Sequence, residues 1–474
     1  MFYFLSTTLV NLPFPLCHPL ESSSKMSSSE IPSITSPKPF TIVYTDDEVS
    51  DLRNRLRKTR FPDAPYLPGD ERGPKKLSYK PDLPLVKTLV EKWTDYDFTG
   101  FQKRLNSFPH FTTSVDWCTQ LHFVHKRSDR PDAIPIMLIH GWPGSWFEFA
   151  HVIDDLANPA DKDAPAFHVV VPSLPGFLHS TPPPNKQVGN VQGYSRILDA
   201  LMRGLGYDKY ASQGGDWGSP HARALGAFHS HKDGTGCRAV HLNFCPVAAK
   251  GLSKFMLLSL PVKVTLGIAK LVYGQEYLMM AAKGMYFEQN RAYYDVQRTR
   301  PVQLLYGLVD SPVGLLGWLG NIYDTLSERR PDHPRLNMDA CLEIATLFWF
   351  TSSIGTSFIP YTNNTFLPEI HGAPEYKLPV PLGYSDFPDE LVNTPKFVVD
   401  ATTTSGKTRW IAKSPVGGHF AAHEEPTIFV SHLRNAFAKG GKWKGHETEG
   451  IETAQIAGGL WDEVRDQEAR ASKI

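Results

Sequence analysis

The residues best suited to chemistry begin with a glycine-rich stretch in the middle of the chain. Gly214-Gly215-Asp216-Trp217-Gly218 places an aspartate at the centre of a pattern flanked by small residues. That pattern is typical of a sharp strand-to-helix turn, where a Cβ on a flanking residue would clash. A carboxylate held there can attack an sp3 carbon and form an ester that water then hydrolyses. Taken alone, the pattern also fits a glycine-rich turn in which the aspartate caps a helix.

Two further stretches could complete such a site. His140-Gly141-Trp142-Pro143-Gly144 follows an apolar segment, and Gly417-Gly418-His419-Phe420 comes late in the chain. We expect the backbone N–H groups of Trp142 and Trp217 to form an oxyanion hole. His419 is the predicted base, because its glycine flank and its position after the nucleophile fit the chain order nucleophile, acid, histidine.

An acid must orient the predicted base. The stretch GYSDFPDEL offers three candidates, Asp386, Asp389 and Glu390. The residue types alone leave all three open. His423 lies one helical turn after His419 and is interpreted as structural.

The elements that must position these residues alternate between strands and helices. AIPIMLIHG, FHVVVPSLPG and RAVHLNFCP have the continuous apolar character of strands in a buried parallel sheet. YSRILDALMRGLG is predicted to be an amphipathic helix, and a second helix is expected from about Ser219. The alternation predicts the α/β class, with a mostly parallel, doubly wound sheet.

The chain around that core divides into further segments. Thr45 and Glu48 form a predicted capping box for a helix that follows the strand candidate PFTIVY. The β/α pattern is expected to resume with TPKFVVDA and TRWIAKSP. The predicted segments are a flexible N-terminal tail (1–37), an N-terminal extension (38–111), the first part of the core (112–245), an inserted helical lid (246–375), the second part of the core (376–438) and a C-terminal tail packed outside (439–474).

Composition excludes several classes of function. Forty-nine basic and 49 acidic residues give a net charge of zero, which offers no attraction to nucleic acid or to anionic membrane. The five scattered cysteines favour inert thiols over a disulfide framework. His229 and His231 form an isolated pair without further metal ligands nearby in the sequence, so no metal is predicted.

The N-terminus contains no clear targeting signal. Prolines interrupt the first twenty residues, and the positive region of a signal peptide is missing. We therefore expect a cytoplasmic protein without a membrane span, with Met26 as an alternative start. Secretion or membrane association through residues 1–25 is the less favoured alternative.

Over residues 38–438 the sequence resembles the microsomal-type epoxide hydrolase family, including its soluble fungal members. The matching stretches, in order, are PFTIVYTDDEVSDLRNRLRKTRFP, HGWPGSWFEF, VVVPSLPGF, GGDWGS and GGHFAAHEEP. The resemblance implies an α/β-hydrolase fold with an inserted lid and an N-terminal meander extension. One departure is visible, because Leu178 follows Phe177 where the family often has glycine.

The resemblance also implies two lid tyrosines that hydrogen-bond the epoxide oxygen. AYYDVQRTRP places Tyr293 at the first position, with Tyr294 as the alternative, and LFWFTSSIGTSFIPY places Tyr361 at the second. A phenol can donate while neutral at pH 7, since its ordinary pKa is near ~10. By the match to the family's FP turn, Glu390 is the implied acid.

The predicted function is therefore hydrolysis of an epoxide to a diol, with Asp216 as nucleophile and no cofactor. The expected partner is a small-molecule epoxide, and a homodimer is compatible with the family. One alternative is a haloalkane-type dehalogenase, which would need halide-binding N–H side chains in the lid. The other is a non-catalytic binding protein of the same fold.

Overall fold

The computed structural model describes residues 33–63, 82–247, 262–327, 338–443, 452–456 and 458–471. The predictions made for residues 1–25, together with Cys17, lie outside these ranges.

One ten-stranded sheet runs through the described residues. Its strands in chain order are β1 Lys38–Pro39, β2 His110–Val115, β3 Cys118–Lys126, β4 Ile134–Ile139, β5 Phe167–Pro172, β6 Lys209–Gly214, β7 Gly236–Leu242, β8 Leu382–Asp386, β9 Trp410–Lys413 and β10 Glu452–Ile456. Across the sheet they follow the order β1-β2-β3-β5-β4-β6-β7-β8-β9-β10. The pairs from β5 through β9 are parallel, and the outer pairs are antiparallel. The expected α/β class with a mostly parallel sheet is confirmed.

Helices connect the parallel strands and make up much of the described part of the insertion before β8. The α-helices are α1 Asp46–Arg57, α2 Leu83–Thr94, α3 Phe98–Leu105, α4 Ile153–Ala157, α5 Val191–Gly204, α6 Gly218–Phe228, α7 Val262–Asn290, α8 Ala292–Thr299, α9 Pro301–Asp310, α10 Pro312–Leu326, α11 Met338–Thr351, α12 Ile359–Asn363, α13 Leu367–Gly372, α14 Lys396–Asp400, α15 Ala421–Glu424, α16 Pro426–Phe437 and α17 Asp462–Ala471. The predicted capping box of α1 is present, since Thr45 and Glu48 each accept from the other's backbone N–H. Acidic residues occupy the first turn of α1 and basic residues its last, as the helix dipole favours.

The strand predicted over PFTIVY is confirmed only at its start, because β1 ends at Pro39. The Phe40 N–H still donates to His110 O of β2 at 2.9 Å, and the regular pairing with β2 stops there. The N–H groups of Ile42 and Tyr44 donate instead to side-chain oxygens of Asn106 and Gln102, at 2.9 and 2.6 Å. Side chains from the end of α3 therefore accept hydrogen bonds from backbone N–H groups that strand propensity alone would place in the sheet.

Two expectations for the end of the chain also need correction. The β/α pattern resumes at β8, and TPKFVVDA contains α14, whereas TRWIAKSP contains β9 as expected. After residue 439 the described residues include β10, which pairs with β9, and α17. Leu460 and Trp461 are buried there. Individual apolar side chains therefore hold this segment against the core, although its sequence has no apolar periodicity.

The helical insertion packs against the N-terminal extension. Trp93 Nε1 of α2 donates to Thr346 Oγ1 of α11 at 2.8 Å, and the Tyr44 ring stacks on Phe350. These buried contacts hold the insertion over the carboxyl ends of the strands. Among the described residues, no single helix is long and apolar enough to cross a membrane, although two bent pairs, α9 with α10 and α11 with α12, pass by length and composition when taken together.

Candidate active site

Asp216 lies at the turn between β6 and α6. Its φ of 43° is in the left-handed region, which costs a non-glycine residue conformational energy. A Cβ on Gly214 would overlap with the carbonyl of Gly218, and a Cβ on Gly218 would overlap with the carbonyl of Ile139. The expectation that this turn demands small flanking residues is confirmed.

The loop after β4 approaches the same carboxylate. The N–H of Trp142 donates to Asp216 Oδ1 at 2.7 Å, as expected for an oxyanion-hole donor. A Cβ on Gly141 would overlap with that oxygen, so glycine permits the approach. The indole of Trp142 donates to Ser357 Oγ at 3.1 Å and so ties the loop to the lid. The N–H of Trp217 remains the predicted second donor.

His419 lies on the other side of Asp216. Its Nε2 is 3.4 Å from Asp216 Oδ2, and its Nδ1 is 2.6 Å from Glu390 Oε1. A Cβ on Gly417, whose φ is 102°, would lie 2.7 Å from the Phe387 ring, so this glycine lets the histidine loop pack closely. The structure thus brings together the three residues predicted as nucleophile, base and acid.

The two carboxylates control the charge of the imidazole. Burial opposes protonation of His419, but the nearby carboxylates of Glu390 and Asp216 outweigh it and raise the histidine pKa well above its usual value. The Nδ1–H donates to Glu390, because the carboxylate oxygen can only accept. Nε2 therefore carries the proton that is exchanged near Asp216.

The other candidate acids have different partners. Asp386 Oδ1 accepts from Asn393 Nδ2 at 2.5 Å, and burial raises the pKa of this carboxyl group. The backbone N–H of Asp389 donates to Gly417 O at 3.0 Å. Of the three candidates, only Glu390 has a hydrogen bond to His419 among the contacts of the described residues.

A pocket under the lid opens onto the Asp216 carboxylate. Its lining is almost entirely aromatic and aliphatic, and comprises Asp216, Trp217, Phe244, Pro246, Phe287, Tyr293, Tyr294, Tyr361, Phe366, Leu367, Pro368, Leu391 and Val392. Both predicted tyrosines and the alternative Tyr294 face this pocket. Among the described lid residues that line this pocket, the polar groups are phenols, which disfavours the dehalogenase alternative.

Aromatic contacts fix the two predicted tyrosines. The Tyr293 ring stacks on Trp142, and the Tyr361 ring packs edge-on against both Trp142 and Trp217. Burial raises the pKa of both phenols, with the Asp216 carboxylate contributing to each. Both phenols are therefore neutral donors at physiological pH.

A second, smaller cavity touches Asp216 from the histidine side. It is lined by Gly141, Trp142, Gly144, Glu148, Phe149, Gly215, Asp216, Asn243, His419, Phe420, Ala421, Ala422 and Phe429. Asp216 lines both cavities. Glu148 and Asn243 were not singled out from the sequence, where only their proximity to HGWPG and to the end of β7 could have indicated them.

A buried hydrogen-bond chain behind the elbow was also missed. Arg223 Nε donates to His371 Nδ1 at 2.9 Å, so His371 carries its proton on Nε2 and donates to Ser219 Oγ at 3.0 Å. The Ser219 hydroxyl then donates to Asp216 O at 2.7 Å. The directions of all three bonds are fixed by the guanidinium, which can only donate.

The remaining predicted residues have structural partners. His229 Nε2 contacts Ser195 Oγ at 3.1 Å, and His231 Nε2 contacts Arg203 at 3.2 Å. Within the ranges described, no group of three or more His, Cys, Asp or Glu could hold a metal ion. Leu178 has a φ of 46°, a left-handed conformation that glycine adopts more easily than leucine.

The fold and these residues define an α/β hydrolase with an aspartate at the nucleophile position. The family description "epoxide hydrolase N terminus" matches residues 37–149, and "alpha/beta hydrolase fold" matches residues 134–242. A candidate epoxide hydrolase from Stigmatella aurantiaca is 33% identical over 406 residues, which are 84% of each chain. Epoxide hydrolase 1 of Sus scrofa is 29% identical over 84% of this chain and 87% of its own length.

Solved structures agree. The Aspergillus niger epoxide hydrolase has a TM-score of 0.68 and 30% identity, covering 85% of this chain and 96% of its own. The juvenile hormone epoxide hydrolase from the silkworm Bombyx mori has a TM-score of 0.70 and 26% identity, covering 84% and 93%. The chain belongs to the epoxide hydrolase family and is a hydrolytic enzyme.

Proposed function

We propose that the enzyme converts small-molecule epoxides and water to vicinal diols through an alkyl ester on Asp216. The observation that supports this most strongly is the position of Asp216 between two cavities, with phenols in one and the imidazole of His419 in the other. An epoxide in the first cavity would meet a nucleophile and two proton donors together. Water in the second would meet a base beside the ester.

In the first half-reaction, a carboxylate oxygen of Asp216 forms a bond to one epoxide carbon, and the ring C–O bond breaks. Tyr293 and Tyr361 hydrogen-bond the departing oxygen, which would otherwise leave as an alkoxide. The proton that converts this alkoxide to the first hydroxyl comes ultimately from the imidazolium of His419. The apolar lining strengthens these interactions because it excludes water.

Formation of the ester changes the pKa of the base, His419. Two carboxylates hold the proton on His419 in the free enzyme, and esterification removes the charge of Asp216. The pKa of His419 therefore falls when the intermediate forms. The imidazole becomes an acceptor at the stage at which a base is required.

In the second half-reaction, water gives one proton to His419 Nε2 and its oxygen bonds to Asp216 Cγ. Glu390 stabilises the resulting imidazolium, and the N–H groups of Trp142 and Trp217 hold the oxyanion. Each such donor is worth roughly 3 kcal/mol in the transition state. Collapse breaks the ester C–O bond, and the leaving alkoxide takes the second water proton, which restores the Asp216 carboxylate.

The test uses styrene oxide and intact-mass analysis after acid quenching. We expect diol from the wild type, neither diol nor adduct from Asp216→Ala, and an adduct of one substrate mass from His419→Gln. His423→Gln is the matched control, because His423 lies in the following helix and packs on His151. Normal turnover by His419→Gln would contradict the assignment of the base.

A further inference from the structure

We propose that Glu148 is a further catalytic residue, which binds the hydrolytic water together with Asn243 and His419. The inference rests on the proposed ester on Asp216 and extends it to the second half-reaction. It concerns the smaller of the two cavities, which lies away from the lid tyrosines.

The composition of this cavity supports the proposal. Its polar side chains are Asp216, His419, Glu148 and Asn243, and the rest of its lining is glycine, alanine and aromatic residues. It has room for about one water molecule. A water there would lie between the ester carbon and the base, with two further polar groups in reach.

Glycines make room for both additional polar groups. A Cβ on Gly144 would overlap with Glu148 Oε2, and a Cβ on Gly215 would lie 2.7 Å from Asn243 Nδ2. The Glu148 carboxyl group therefore occupies the space that a side chain at the Trp142-Pro143-Gly144 turn would fill. In the same way, the amide of Asn243 packs directly on the backbone beside Asp216.

The charge state of Glu148 is compatible with this position. Burial of the carboxyl group, followed by the charge of Asp216, raises the pKa of Glu148 to about 8. At neutral pH it is mainly protonated and does not repel the nucleophile. A carboxyl group keeps acceptor oxygens in either protonation state.

These groups can hydrogen-bond both protons and one lone pair of a nucleophilic water. One proton of the water points to His419 Nε2, and the other points to a Glu148 oxygen. Gln213 Nε2 donates to Asn243 Oδ1 at 2.7 Å, which leaves the Asn243 Nδ2 group to donate to the water oxygen. The remaining lone pair then faces Asp216 Cγ. Such orientation of a reactant is worth up to about 100-fold in rate.

The experiment measures the two half-reactions separately. Rapid mixing with styrene oxide, acid quenching and intact-mass analysis give the rate constants for alkylation and for decay of the adduct. The variants are Glu148→Ala, Glu148→Gln, Gly144→Ala and the double variant Glu148→Ala with Gly144→Ala. Asp154→Asn is the control, since that exposed carboxylate pairs with Lys126 at the surface, at 2.7 Å.

We expect Glu148→Ala to slow adduct decay by about 100-fold and to leave alkylation within a few-fold of the wild type. Glu148→Gln keeps an acceptor oxygen, so its loss should stay below about tenfold. Gly144→Ala displaces the carboxyl group and should also slow decay. In the Glu148→Ala background the same change should add little, because the space is then vacant.

Equal loss in both half-reactions, no loss in Glu148→Ala, or additive effects of the two substitutions would each overturn the proposal. His419→Gln separates this failure from failure of the ester route. If His419→Gln accumulates the adduct and Glu148→Ala does not, only the role of Glu148 is wrong. If no adduct forms in either variant, the ester route itself fails.

Discussion

The ion pair between Glu390 and His419 allows a quantitative prediction. Both side chains are 1% exposed, and Glu390 Oε1 accepts from His419 Nδ1 at 2.6 Å and from the Leu391 N–H at 2.6 Å. In Glu390→Gln both donors would still select the amide oxygen. We therefore expect the histidine tautomer to be kept and only the charge to be lost.

The magnitude follows from the geometry. Opposite unit charges about 4 Å apart attract by about 4 kcal/mol at an effective dielectric constant near 20. If about half of the imidazolium charge has developed in the transition state, the loss is about 2 kcal/mol, or about 30-fold in rate. We expect this loss in adduct decay and not in alkylation.

The pH dependence gives a second readout. Glu390 raises the pKa of His419, so its removal lowers that pKa. Adduct decay requires neutral imidazole, and the acidic limb of its rate should therefore move to lower pH. Single-turnover decay measured between pH 5 and pH 9 tests both effects, with Asp389→Asn as the control on the same turn. The reasoning would be refuted if Glu390→Gln kept the acidic limb and the plateau rate of the wild type. A larger loss of decay rate in Asp389→Asn than in Glu390→Gln would also refute it.

Three further predictions concern the lid, the elbow and the base. Tyr293→Phe and Tyr361→Phe should each slow alkylation by about 100-fold without slowing adduct decay, as measured by the same quench experiment; loss in decay alone would contradict their role. Gly218→Ala should lower the free energy of unfolding in urea by about 1–3 kcal/mol through overlap with the Ile139 carbonyl, whereas Gly317→Ala, which meets open space in α10, should raise it by up to about 1 kcal/mol. Because the folded state raises the pKa of His419, the stability that this histidine contributes is full below about pH 6.5 and declines as pH rises through the folded pKa. The thermal unfolding temperatures of the wild type and His419→Gln should therefore converge from pH 6 to pH 9. A constant difference between them would argue against the charged pair.

Asp216 and His419, the residues proposed as nucleophile and base, could be singled out from the sequence because their signals are local. Glycines on both sides of Asp216, and before His419, are demanded by overlaps that any backbone of this shape would suffer. Those constraints act within a few residues. A sequence pattern can therefore record them without knowledge of the tertiary fold.

The choice of acid could not be made in the same way. Asp386, Asp389 and Glu390 lie within five residues of chain, and each is compatible with a polar turn. Their separation depends on how the turn after β8 packs against the histidine loop. Only resemblance to a family favoured Glu390, and the 2.6 Å contact with His419 now supports that choice.

Contacts between distant segments were missed for the same physical reason. Glu148 and Asn243 share a cavity, although they are 95 residues apart in the chain. The strand predicted over PFTIVY ends at Pro39 for a similar reason, because side chains of Asn106 and Gln102 accept from the backbone N–H groups of Ile42 and Tyr44. The secondary-structure propensity of a short stretch cannot predict such long-range hydrogen bonds.

Single-turnover hydrolysis of styrene oxide in water enriched in oxygen-18 tests the central claim most directly. Excess enzyme converts one equivalent of substrate, and mass spectrometry then locates the label in the diol and in the peptide that contains Asp216. The ester route predicts label in Asp216 and unlabelled diol from the first turnover. Label in the diol with none in Asp216 would mean direct attack by water and would contradict the assignment of the nucleophile.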